Sequence, residues 1–274
     1  MNEFVLVDGA LARGMLDCQA LLRQPGVWAI YEDLGTEAAA VGPILTTTPA
    51  NMLIDAGTLA NASLPARRAW GYAHASLQTS EDAAAVVTHL RRSRYLYTQD
   101  GQRFFLRYAD ARCLLALWAA LEEPQRKALL GPVERWTVLS ADRKSVSLLA
   151  SAVNQAVTTP LKLNGRSLET LTRAMWSWSL LGAAEEADEA LVEKGSDASA
   201  LLWCDRATAI ANEEPRSGFA VETMLAVALI RSDGRADSDA TFHQALHRAR
   251  QANDAHEIQR WIVEARAMSG AVHP

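Results

Sequence analysis

From about Ser167 onward the chain almost stops reading as strand. "SLETLTRAMWSWSLLGAAEEADEALVEK", Ala198–Asn212, Gly218–Arg231, Asp239–Ala252 and Ala255–Met268 are rich in Ala and Leu at helical spacing. The breaks between them ("EKGSD", "NEEPRSG", "RSDGRADSD") are polar and carry Gly or Pro. Apolar stripes at that spacing are buried by packing helix on helix. The helical hairpins suggest stacked repeats, yet no fixed period near about 33–34 residues with matching positions runs through them.

The front of the chain alternates instead. Phe4–Val7 is a short apolar strand closed by Asp8-Gly9; Arg13–Gln24 has near-helical spacing stopped by Pro25-Gly26; Val27–Tyr31 is a second strand. Thr36–Val41 reads as a short helix, Ile44–Thr48 as a strand, Asn51–Leu64 as helical and Trp70–Ser76 as a strand. "TSEDAAAVVTHLRR" starts a helix that Thr79 or Ser80 would cap. Tyr95–Thr98 and Arg103–Tyr108 are aromatic, β-prone segments joined by Asp100-Gly101, which predicts a type I′ hairpin. A helix follows Asp110, Gly131-Pro132 ends another, and Trp136–Leu139 is a last strand. The expected class is α+β: an α/β-like N-terminal lobe with a mixed sheet and flanking helices over residues 1–140, a connection over 141–166, and an all-α lobe over 167–274.

Several function classes find no support in these residues. The three cysteines, Cys18, Cys113 and Cys204, are far apart and form no CxxC, which argues for reduced core thiols rather than zinc or redox chemistry. The N-terminus lacks the basic start and long apolar run of a signal peptide, and no stretch approaches the ~18 apolar residues of a membrane span, so a cytoplasmic protein with no membrane segment is expected. Residues 1–150 carry 15 basic and 15 acidic side chains, net zero; residues 151–274 carry 12 and 17, net −5. That distribution gives no basic stripe for nucleic acid. Arg91, Arg92 and Arg94 form a small cluster that reads as a solvated helix end.

No GxGxxG, GxxxxGK[ST] or GxSxG occurs. Cys113 could pair with His89 as nucleophile and base, but it lies in the apolar run "RCLLALW", where a structural thiol is expected. His243 and His247 share a helix face, but no glutamate stands in an HExxH arrangement and Arg248 and Arg250 crowd the same turns, which reads as a solvated face; His74, His89, His256 and His273 show no partner spacing. The carboxylates of "EEADEALVE" likewise read as solvated. At the strand-to-helix corner, Asp110 stands where an N-cap belongs, and Arg107 and Arg112 can both reach it. With Tyr108 they predict a turn-locking ion cluster that needs no substrate.

Five short motifs, in order, carry a resemblance: "LVDGA" (6–10), "GPIL" (42–45), "HLRR" (89–92), "DGQRFFLRYADAR" (100–112) and "GPVERW" (131–136). Over roughly residues 4–136 the chain resembles the bacterial type VI secretion effector adaptor, or chaperone, family, long known only as a domain of unknown function. That family usually has "RYYDPR" at the corner; here Ala109 and Ala111 replace the second tyrosine and the proline, while Arg107, Tyr108, Asp110 and Arg112 remain. The helical half carries no matching motif.

The resemblance implies a non-enzymatic protein with no catalytic residues, cofactor or metal. Its partners would be a cognate toxin effector, bound in the producing cell, and the valine-glycine-repeat spike protein on which that effector is mounted. Partner binding calls for aromatic anchors within a broad surface, and the candidates are Trp176, Trp178 and Trp203 in the helical lobe and Tyr72 and Trp136 in the first. Trp176 and Trp178, two apart on a helix, should face opposite ways. Three other readings compete: an immunity protein that neutralises a cognate toxin, a small hydrolase using Asp8, His74 and Asp110, and a generic helical-repeat interaction protein.

Overall fold

A computed structural model describes residues 1–149, 160–193, 197–213 and 217–270. The chain divides into two compact units, Met1–Arg173 and Ala174–Pro274.

In the first unit β1 (Asn2–Asp8) is the spine, with its last five residues buried. Its unbroken apolar run is explained by neighbours on both edges, β3 and β4. Asp8 ends the strand and caps α1 (Gly9–Ala12), accepting from Leu11 N at 3.0 Å. Asp17 caps α2 (Cys18–Leu21) through Ala20 N. The helix expected over 13–24 is therefore a short one that starts only where a carboxylate satisfies its first amides. β2 (Val27–Ala29), a 3-10 turn at Glu32–Leu34, α3 (Thr36–Val41) and β3 (Pro43–Thr46) follow.

The pattern read as one helix over 51–64 is broken into α4 (Ala50–Leu53) and α5 (Ala56–Asn61), with Asp55 capping the second. α6 (Leu64–Tyr72) corrects the strand expected from Trp70: Ser63 caps it, Pro65 sits in its first turn, and β4 (His74–Thr79) begins only after Ala73. α7 (Ala83–Arg92) is capped by Asp82 rather than by Thr79 or Ser80. Thr79 is the last residue of β4 and donates its hydroxyl to the Pro132 carbonyl at 2.6 Å.

β5 (Tyr95–Thr98) and β6 (Arg103–Phe105) form the expected hairpin with a different turn. Only Gly101 of the loop has positive φ, at 83°, and its N–H donates to Thr98 O at 3.1 Å. A three-residue loop with glycine in the left-handed position takes the place of type I′. α8 (Ala111–Ala120), α9 (Glu123–Leu130), β7 (Arg135–Leu139), β8 (Ser145–Leu148) and β9 (Leu161–Leu163) complete the unit. β8 and β9 lie within the stretch read as a connection, whose residues 150–159 are outside the described residues.

The main sheet has the order β2-β3-β1-β4-β7-β8, and all its pairs are antiparallel. A second sheet, β6-β5-β9, joins β5 to β9 in parallel. Val5, Val7, Ile44, Leu21 and Trp70 belong to one core cluster of the unit, packed between sheet and helices.

The long helix α10 (Gly165–Ala187) begins in the first unit and ends in the second. α11 (Asp197–Ala211), α12 (Phe219–Ser232), α13 (Ala240–Ala252) and α14 (His256–Gly270) follow. α12 is buried on nearly all sides from Val221 to Ile230, so it is the central element of the helical core. Its C-terminus turns through Asp233 and Gly234, both left-handed, and a Cβ on Gly234 would overlap the Trp203 ring. The fold class is thus a mixed α/β region followed by an all-helical one. No described helix is long and apolar enough to cross a membrane.

Candidate functional site

The corner is built from two directions. β1 delivers Asp8, 4% exposed, at its C-terminal end, and the segment after β6 delivers Arg107, Tyr108 and Asp110. Arg107 Nη2 donates to both Asp8 carboxylate oxygens at 3.1 Å and lies 3.7 Å from Asp110 Oδ2. Arg112 grips Asp110 with two parallel bonds, Nε to Oδ1 at 3.0 Å and Nη2 to Oδ2 at 2.9 Å. Asp110 Oδ1 also accepts from the Arg112 backbone N–H at 3.0 Å, which makes it the N-cap of α8. Tyr108, fully buried, donates to Leu90 O at 3.0 Å and so ties the corner to α7. The Arg112 guanidinium lies over the Tyr72 ring at 5.9 Å.

Two buried carboxylates thus alternate with two guanidiniums. Burial pulls the guanidiniums down; the carboxylates outweigh it and hold both Arg107 and Arg112 above the ordinary arginine value. Burial, then the Asp110 charge, pushes the Cys113 thiol up to about 12; burial, then Asp8, does the same to Tyr31. Both stay protonated at neutral pH, so neither is primed as a nucleophile. A buried ion cluster of this geometry fixes the path of the chain more than it adds net stability.

The structure brings Asp8 and Asp110 together on Arg107, as a hydrolase site would need, but uses both as ion-pair partners. His74 is next to Asp8 across the sheet, opposite Val7, yet its Nδ1 lies 2.8 Å from Trp70 O and its ring stacks on Trp70 at 4.7 Å. Burial holds its pKa below the usual histidine value. A cleft of about 730 Å³ opens nearby, lined by Gly9, Arg13, Met15, Asp17, Cys18 and Val41 among others, and none of the three residues faces it. His89, the other imagined base, is 2.8 Å from Leu129 O through Nε2 and covers Gly131, where φ is +55° and a Cβ would overlap the ring.

Of the arginines at the end of α7, Arg92 is exposed as a solvated helix end would have it, whereas Arg91 and Arg94 are paired. Arg91 Nη2 donates to Ala29 O and Glu32 Oε2, each at 3.0 Å, and Arg94 Nη1 lies 2.7 Å from both Asp33 oxygens. Their carboxylates lie about sixty residues away in sequence, so no local spacing announces them. Asp8 went unseen as a corner residue for the same reason. Its one signal was an acidic residue closing the apolar run Phe4–Val7.

The five aromatic candidates separate. Trp136 is fully buried, and its indole N–H has no acceptor among the described residues; Tyr72 is 3% exposed. Both are core and offer a partner nothing. Trp178 and Trp203 pack against the helical core, Trp203 over the Gly234 turn. Trp176 is 40% exposed; its Nε1 donates to Glu222 Oε1 at 2.8 Å, and its ring meets exposed Phe219 edge-on at 5.5 Å. His243 Nε2 is 2.9 Å from Asp237 O, and His247 is 2.9 Å from Gln251 Nε2. Among the described residues, no three His, Cys, Asp or Glu side chains are placed to hold a metal ion; His273 is outside them.

Fold and corner together define a mixed α/β domain whose buried charges lock its own chain path. Residues 3–128, from β1 into α9 and including every corner residue, match the family described as Domain of unknown function (DUF4123). No curated protein and no solved structure gives a match.

Proposed function

We propose that the protein is a non-enzymatic adaptor, or chaperone, that binds a type VI secretion toxin effector and helps load it onto the valine-glycine-repeat spike protein. The observation that carries this reading is the DUF4123 domain over residues 3–128, the region that holds most of the ordered motifs resembling the adaptor family. The corner geometry supports it: the ionisable groups that a catalytic reading would use are ion-paired to Arg107 and Arg112, bonded to backbone carbonyls, or held protonated. In this reading the protein works in the cytoplasm of the producing cell, uses no cofactor and does not act on nucleic acid or membrane.

A tagged pull-down from the native bacterium, with mass spectrometry of what co-purifies, tests it. A large toxin recovered with the protein, with or without the spike protein, is expected. Recovery of neither from cells shown to express the secretion machine overturns the reading. A protein that instead shields cells from a toxin it binds is an immunity protein.

A further inference from the structure

The hairpin β5–β6 ends its sheet with an open edge. The strand order is β6-β5-β9, so among the described residues nothing pairs with the outer side of β6. The direction of its backbone groups follows from the ladder. Thr98 N donates to Gln102 O at 3.0 Å and Leu106 N to Arg94 O at 2.9 Å, so residues 102 and 106 face β5. Alternation turns Phe104 toward β5 as well, and leaves the N–H and C=O groups of Arg103 and Phe105 pointing outward.

All three β6 residues are exposed, Phe104 at 44% and Phe105 at 54%. The register puts Tyr95 opposite Phe105 and Tyr97 opposite Arg103, so these four share a face. Phe105 packs on Tyr95 at 4.8 Å and on Tyr31 at 5.6 Å. The Arg103 guanidinium lies 4.6 Å from the Tyr95 ring centre, and no carboxylate pairs with it among the described residues. Arg91 and Arg94, by contrast, are each matched to a carboxylate. An exposed, aromatic, unpaired edge is a template for another strand, and proteins usually blunt such edges or cover them.

We infer that β6 is a strand-addition site, and that its occupant is an extended segment of the toxin effector with an acidic residue facing Arg103 and apolar residues beside Phe104 and Phe105. Backbone pairing supplies affinity there and the side chains supply choice. The guanidinium sets the sign of the partner: a second copy of β6 would bring another arginine to the same edge. The inference deepens the adaptor reading and rests on it for the source of the segment, while the edge itself is tested separately.

The probes are two fluorophore-labelled octapeptides, Ser-Val-Val-Glu-Val-Val-Val-Ser and the same peptide with lysine in place of the glutamate, titrated by anisotropy against the full chain. The glutamate peptide should bind about tenfold more tightly. Arg103→Glu should reverse the order. Phe105→Pro removes an outward N–H and leaves the β5 bonds in place, so it should abolish binding without unfolding the chain. Amide exchange across 103–105 should slow when the glutamate peptide is present. Failure of that peptide to bind, or equal binding by wild type and both variants, overturns the inference. Concentration-dependent dimerisation lost in Phe105→Pro overturns it too, in favour of a second copy. If a toxin co-purifies equally with wild type and variants, the edge proposal falls and the adaptor reading stands. If the peptides behave as expected and neither toxin nor spike protein is recovered, the adaptor reading falls and the edge stands.

Discussion

The first unit and the helical unit each bury a carboxylate where chain segments meet, and they satisfy it differently. Asp110 is matched by charge: Arg112 holds it with two bonds, and Arg107, shared with Asp8, stands 3.7 Å away. Glu222, 7% exposed on α12, is met by neutral donors instead, Trp176 Nε1 at 2.8 Å and Thr208 Oγ1 at 2.7 Å, both to Oε1. An ion cluster penalises any rearrangement that separates its charges, because an uncompensated buried charge is expensive. A carboxylate held by an indole and a hydroxyl sets geometry at lower stakes. The corner is therefore built to be rigid. The Glu222 site fixes the orientation of one half-exposed aromatic, Trp176, beside Phe219.

Truncation should expose that difference most strongly. Asp110→Ala removes the cap of α8 and the carboxylate that Arg112 holds with two bonds, and should cost about 3–5 kcal/mol. Glu222→Ala removes one acceptor shared by two donors, both able to reach water on relaxation, and should cost about 1–3 kcal/mol. Urea unfolding of the two variants measures both. Equal costs would mean that the corner charges are solvated and do not act as a cluster.

Isosteric changes sharpen the comparison at smaller cost. Asp110→Asn keeps shape and one acceptor but cannot neutralise Arg107 and Arg112, so about 2 kcal/mol should be lost. In Glu222→Gln the amide oxygen still accepts from Trp176 and Thr208, and the loss should stay below about 1 kcal/mol. The same unfolding experiment decides it. A Glu222→Gln variant as damaged as Asp110→Asn would show that the Glu222 charge matters after all.

The sequence carried the helical unit almost completely. Its helices are long, rich in Ala and Leu, and their breaks polar, so α11 to α14 fall within a residue or two of their expected bounds. The first unit was harder because its helices are short and its starts depend on single caps. Asp17, Asp55, Ser63 and Asp82 decide where α2, α5, α6 and α7 begin, and periodicity cannot rank one cap over another. The corner was half legible. Arg107, Asp110 and Arg112 lie within six positions of one another, so their pairing could be read from spacing, whereas Asp8 reaches Arg107 across 99 positions. Among the aromatics, residue type alone could not separate Trp136, fully inside, from Trp176, 40% exposed.

The smallest effect concerns protons, and it also divides the units. The first unit buries His74 and His89 beside backbone carbonyls, while His243, His247 and His256 of the helical unit are exposed. Burial pulls His89 below the usual histidine value; the bond to Leu129 O opposes this in part, and the charge of Arg92 adds to the lowering. His74 is lowered by burial too. A lowered histidine stays neutral in the folded chain while the unfolded chain takes up a proton. Stability is then unaffected above the unfolded value near about 6.5, and is lost as pH falls below it toward the folded value. Asp33, lowered chiefly by its hydrogen bond to Arg94, acts in a separate window, where stability is lost only as pH falls below the ordinary carboxylate range. Each tenfold change in proton affinity is worth only about 1.4 kcal/mol, so the histidine effect is modest. The melting temperature should therefore drop between about pH 7 and pH 5. His89→Gln, whose amide can still donate to Leu129 O, should flatten that drop and leave the fall at lower pH in place. An unchanged slope in His89→Gln would place the proton uptake on another residue and remove His89 from the difference between the units.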